Sequence, residues 1–165
     1  MAVDTHDIVA TQEEAGQLEL APLIVVDTLR EHLARELPGD DAPLEFERIG
    51  EGHSNITYLV TRGADRFVLR RPPRPPLPPS AHDVLREWRI LDAIKETPAR
   101  SPRTLLACDD ESVIGAPFYV MEYVEGTVVT SEIPAPLDAP EERRRMGFDL
   151  VDALAEAAYE VSRAG

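Results

Sequence analysis

The stretch between Arg71 and Ser80 constrains this chain more than any other, because six prolines stand in Pro72-Pro73-Arg74-Pro75-Pro76-Leu77-Pro78-Pro79. Proline locks φ and has no N–H to donate, so these residues exclude helix interior and central strand and are expected to run extended. Such a segment acts as a stiff connector between two blocks of regular structure. On composition alone it also fits a ligand for a proline-recognition domain.

Before the connector, residues 44–49, 56–61 and 66–71 are short β-prone runs separated by Gly50-Glu51-Gly52-His53-Ser54-Asn55 and by Arg62-Gly63-Ala64-Asp65. Three antiparallel strands in a meander are the simplest reading. Upstream, Val26, Leu29, Leu33 and Leu37 recur at helical spacing and Pro38-Gly39 supplies a stop. Residues 1–22 are acidic, polar and without a sustained period, which predicts a mobile tail. After the connector, Ser80 and Asp83 can cap a helix over 82–96 whose apolar stripe is Val84, Trp88, Leu91 and Ile94. Residues 104–108 and 118–124 read as two further strands, giving five. A last helix is predicted over 141–161, with Met146, Leu150, Val151, Leu154 and Ala158 on one face. The class is therefore α+β.

Four features could form a site. Gly50 and Gly52 let a turn's backbone approach phosphates, and Ser54 and Asn55 add polar groups. The same residues also suit a plain hairpin turn, and a strand rather than a helix follows, so this is no dinucleotide fingerprint. Arg70 lies in a strand whose alternation sends it to one face with Val68, where it could hold phosphates or reach water. Glu87 lies three residues from Val84 and four from Leu91, both on the apolar stripe. A carboxylate on that side needs a partner, and Arg70 is the candidate. Finally, Phe118-Tyr119-Val120-Met121-Glu122-Tyr123-Val124-Glu125-Gly126 is an apolar strand that breaks into an acidic, glycine-terminated connector.

In this order the features resemble the N-terminal lobe of the kinase-like fold, and in detail the aminoglycoside phosphotransferase and choline kinase-like branch. Gly52-His53-Ser54-Asn55 and Leu69-Arg70-Arg71-Pro72-Pro73 carry the finer likeness. The resemblance implies a five-stranded antiparallel sheet with one packed helix, flanked by an N-terminal and a C-terminal helix. It divides the chain into a tail (1–22), an N-lobe (23–126) and a post-hinge loop with the first helix of a truncated C-lobe (127–165). It also implies an ATP site, with Mg in the full family, that transfers phosphate to a small-molecule hydroxyl. Gly50, Gly52, Ser54, Asn55, Arg70 and Glu87 would serve the phosphates. Met121, Glu122 and Val124 would form the adenine hinge, with the Glu122 carbonyl and the Val124 N–H reading the base edge. Arg70 stands where most kinases have Lys, a planar fork in place of a compact ammonium.

Transfer of this kind also needs an Asp to position the acceptor hydroxyl, followed by a metal-ligating Asn. None of His6, His32, His53 and His82 is followed two residues later by Asp, and Asn55 is the only asparagine. No catalytic or metal-ligating residue is therefore assigned, and the chain is expected to be inactive alone. A complementary C-lobe polypeptide, or self-association through the last helix, is the expected partner. A non-catalytic interaction module derived from such a lobe is the alternative.

Charge excludes other classes: 31 acidic against 17 basic residues give a formal charge of −14, which disfavours nucleic acid. The longest apolar run, around Leu23 to Val26, is far short of the ~20 residues a membrane span needs. Cys108 is the only cysteine, so no internal disulfide forms and a reducing cytoplasm is the expected compartment.

Overall fold

The computed structural model describes residues 7–50, 55–77, 83–129 and 132–164. Strands β1 (Ile8–Val9) and β2 (Ile24–Val25) pair in parallel, with helix α1 (Gln12–Gly16) between them. Helix α2 (Val26–Glu36) follows, then β3 (Leu44–Ile49), β4 (Ile56–Arg62), β5 (Asp65–Arg71), α3 (Val84–Ile94), β6 (Thr104–Cys108), β7 (Phe118–Glu122) and α4 (Pro140–Ala164). The large sheet has the order β3-β4-β5-β7-β6, and every neighbouring pair is antiparallel. The expected five-stranded antiparallel sheet is present, and each of its strands lies within two residues of the limits read from alternation and glycine.

Strand alternation gives this sheet two different faces. Tyr58, Val60, Phe67, Leu69, Phe118 and Val120 point to one side and close the core with Leu29 and Leu33 of α2 and with Leu23, Ile24 and Ile114. Each such side chain, fully buried, contributes about 1.5–3 kcal/mol. The opposite face carries Thr57, Leu59, Val68, Arg70, Tyr119 and Met121, and α3 packs on that side against β6 and β7. Because both faces are covered, successive residues are buried in the middle of each strand, Tyr58-Leu59-Val60 in β4 and Phe67-Val68-Leu69 in β5.

The mobile tail expected over residues 1–22 does not describe Asp7 onward. The Asp7 carbonyl accepts the Leu23 and Ile24 N–H groups at 2.7 and 3.0 Å. Its buried carboxylate pairs with Arg74 at 2.8 Å and with Arg48 at 3.7 Å. Arg74 Nε also donates to the Ala21 carbonyl at 2.7 Å. The described part of the proline connector is thus strapped to the N-terminal segment. A lack of periodicity misled here because two-residue strands leave no period, and the partner of Asp7 lies far along the chain.

Other limits shift slightly. The last strand ends at Glu122 rather than at residue 124. Helix α3 begins at Val84, with the Asp83 side chain accepting the Arg86 N–H at 2.8 Å. Ser80 and His82 lie outside the described residues. Helix α4 lies against α3, and Arg100 closes both nitrogens on Glu156 at 2.9 and 3.2 Å. The side of α4 that is half-buried includes Ala153, Glu156 and Ala157, whereas Leu150, Val151 and Leu154 are exposed. No described helix is long and apolar enough to cross a membrane.

Candidate functional site

The site is built on the α3 side of the sheet. Register places Thr57 of β4 and Tyr119 of β7 directly beside Arg70 on β5, so one row across the sheet reads Thr, Arg, Tyr. Glu87, in the first turn of α3, lies over that row, where a carboxylate also suits the positive end of the helix dipole. Arg70 Nε donates to Glu87 Oε2 at 2.8 Å, and Arg70 Nη1 donates to Thr57 Oγ1 at 3.1 Å. The expected Arg70–Glu87 pair is therefore formed. Asn55 Nδ2 donates to the other carboxylate oxygen at 2.8 Å, and the Tyr119 hydroxyl reaches Oε2 at 3.3 Å.

These distances define how Arg70 is held. Its Nε and one terminal nitrogen are occupied, and its remaining N–H groups have no protein acceptor among the described residues. The Arg70 side chain is 28% exposed and that of Glu87 is 39% exposed, so the pair is open to a ligand on one side. Burial pushes the Tyr119 hydroxyl up to about 12, with the Glu87 carboxylate adding to the effect, so Tyr119 is a permanent donor at neutral pH.

Gly50 opens the turn with φ of 79°, a left-handed conformation that glycine adopts without strain. A Cβ there would meet nothing within 4 Å, so backbone shape and not space demands the glycine. Gly52 and Ser54 lie outside the described residues. Asn55 is buried at the far end of the turn, and its Oδ1 has no partner among the described residues. Asn55 thus joins the glycine turn to Glu87 and keeps an acceptor in reserve.

At the end of β7, Met121 is half-buried opposite Val68 and Thr104. The Glu122 N–H donates to the Arg103 carbonyl at 2.9 Å, and its carboxylate accepts the Arg103 N–H at 3.0 Å. Val124 is exposed, and its N–H has no backbone acceptor among the described residues. Thr57, Tyr119 and Arg103 were not foreseen. Thr57 and Tyr119 follow from register across strands, which no single strand announces; the string 118–126 contained Tyr119 but gave no reason to pair it with Glu87.

Two clefts, of about 210 Å³ beside Arg30 and Arg62 and about 500 Å³ between α1 and the 111–115 loop, lie away from Glu87. Among the described residues no three His, Cys, Asp or Glu side chains form a metal-binding group.

Residues 45–158 match the phosphotransferase enzyme family, and the chain belongs to that family. A crystal structure from Ralstonia eutropha, described as "a putative aminoglycoside phosphotransferase", superposes with a TM-score of 0.53 at 31% identity, over 63% of this chain and 29% of that one. The fold is that of a kinase-like N-lobe. Curated relatives carry another name: "Acyl-CoA dehydrogenase family member 11" of Rattus norvegicus is 34% identical over 134 residues, which is 79% of this chain and 17% of that protein. "Acyl-CoA dehydrogenase family member 10" of Mus musculus is 41% identical over 86 residues, 52% of this chain and 8% of that protein. The chain spans about a sixth of the length of the rat relative.

Proposed function

We propose that these residues are the ATP-binding half of a small-molecule phosphotransferase. The observation that carries this reading is the Arg70–Glu87 bond of 2.8 Å, set between the glycine turn and the hinge. Glu87 orients the guanidinium, Arg70 offers its free N–H groups to the β- and γ-phosphates, and the glycine turn covers them. The Glu122 carbonyl and the Val124 N–H, which has no backbone acceptor among the described residues, hold the edge of adenine. The free donors around Arg70 and at Val124 fit the nucleotide. The described residues do not fit a bound Mg ion, because no three His, Cys, Asp or Glu side chains among them converge.

The transfer step needs an Asp followed a few residues later by an Asn, and no Asn follows the hinge in these 165 residues, so we assign catalysis to C-terminal-lobe residues outside them. The names of the rat and mouse relatives point to acyl-CoA chemistry. The free, buried thiol of Cys108 suits a cytoplasmic compartment.

Titration calorimetry of Mg-ATP into the 165-residue chain tests the first claim. Saturable binding that is lost in Arg70→Ala supports it, and no binding at millimolar nucleotide refutes it. Formation of ADP from Mg-ATP together with a phosphorylated acceptor alcohol, once a C-terminal lobe is supplied, tests the second. A non-catalytic interaction module is favoured by a different observation, the outward apolar face of α4 with Phe148, Val151 and Leu154 each more than half exposed. A stable oligomer indifferent to ATP would select that reading.

A further inference from the structure

The ladder between β5 and β7 has its last pair at Phe67 and Glu122, although β5 extends further, to Asp65. The next pair would be Arg66 with Tyr123, and in its place the side chains meet: the Arg66 guanidinium carbon lies 4.2 Å from the centre of the Tyr123 ring. Arg66 also approaches Glu125 at 3.9 Å, a contact that counts for little because Glu125 is almost fully in water. On the β6 side, Arg103 holds the Glu122 N–H and carboxylate. The connector is therefore pinned at Glu122 from one flank and at Tyr123 from the other, and the next peptide is the one that presents the Val124 N–H, which has no backbone acceptor among the described residues.

We propose that Arg66 is a positioning residue that clamps the hinge by stacking on Tyr123, and so sets the orientation of the Val124 N–H for adenine. The inference rests on the ATP reading above. Arg66 acts on the base and not on the phosphates, because its charge is engaged at the ring face, at the opposite end of β5 from Arg70. With the stack removed, the Tyr123 ring turns freely and the Tyr123–Val124 peptide samples orientations in which its N–H no longer faces the base. A cation over an exposed aromatic ring is worth a factor of about two to five in an equilibrium constant, which sets the size of the effect.

The test compares the full chain with Arg66→Ala, Arg66→Lys and Arg70→Ala, titrating Mg-ATP and, separately, inorganic tripolyphosphate, with melting temperature as the control for folding. Arg66→Ala should weaken ATP by about twofold to fivefold, leave tripolyphosphate unchanged, and be largely rescued by Arg66→Lys, which keeps a cation over the ring. Arg70→Ala should weaken both ligands. Unchanged ATP affinity in Arg66→Ala overturns the clamp while leaving the ATP reading intact. An equal loss for ATP and tripolyphosphate also overturns it, since Arg66 would then act only as a distant charge. If the unaltered chain binds no ATP, the ATP reading fails and the clamp fails with it. Should Arg66→Ala not fold, the comparison of Arg66→Lys with Arg66→Gln carries the same contrast.

Discussion

Arg70 Nε and Glu87 Oε2 lie 2.8 Å apart although 17 positions and the proline connector separate them in sequence. The connector returns the chain so that α3 settles over the row of Thr57, Arg70 and Tyr119, and Glu87 becomes the common acceptor for Arg70, Asn55 and Tyr119.

Glu87→Ala should leave those three donors without their shared acceptor. Both charged side chains keep some solvent, so the expected loss is toward the low end of the usual range, about 1 kcal/mol by urea unfolding. A double-mutant cycle with Arg70→Ala should recover part of that loss as coupling. Additive effects would show that the two residues do not interact in solution.

Arg71, the neighbour of Arg70, alternates to the other face and is 2% exposed. It donates to its own connector at the Pro72 carbonyl at 2.9 Å, to Ile114 O at 3.1 Å and to Leu23 O. Burial pushes its guanidinium down to about 10, which still leaves the group charged at neutral pH. Arg71→Met should therefore destabilise the chain by about 2–4 kcal/mol, much more than the same change at Arg70. A melting temperature that falls equally for the two variants would contradict this difference.

Asp92 ties the end of α3 to the start of β6. Lys95 Nζ and Thr104 Oγ1 both donate to its Oδ1 at 2.7 Å, and these bonds, Lys95 first, hold its carboxyl below the usual range. A carboxyl depressed in the folded state adds stability that is complete above its unfolded pKa of about 3.9 and disappears as pH falls through the lower folded value. Asp92→Asn should flatten the acid limb of stability below about pH 4 and leave its slope near neutrality unchanged. Urea midpoints between acid and neutral pH would show this, and an unaltered acid limb would exclude Asp92 as a contributor.

Helix α4 uses its small and charged side against α3 and leaves Phe148, Val151 and Leu154 outward. Val151→Glu with Leu154→Glu should change stability by less than about 1 kcal/mol, because neither side chain is buried. The same pair should reduce self-association in sedimentation velocity if copies meet through this face. A large loss of stability in the monomer would instead mean that the two side chains are covered in solution.

Much of the architecture was legible in the sequence. Alternation and glycine placement are local, so the strand runs 44–49 and 104–108 could be read without knowing their partners. The Arg70–Glu87 pair was legible for a related reason: a strand-borne cation and a carboxylate beside an apolar stripe each lack a local partner. The order of residues 7–25 was not legible, because Asp7 is held by Arg74 across the fold and local propensity says nothing of that contact. Nor were Thr57, Tyr119, Arg103 and Arg66, whose roles arise from register.

The sequence by itself determined the strand and helix periods, the break imposed by the prolines, and the kinds of residue available to the proposed nucleotide site. Only the tertiary structure decided which side chains share a row of the sheet, which face of α4 is turned outward, and what holds the segment that follows β7. Those outcomes depend on contacts between segments far apart in sequence, whose energies exist only once the chain has closed on itself.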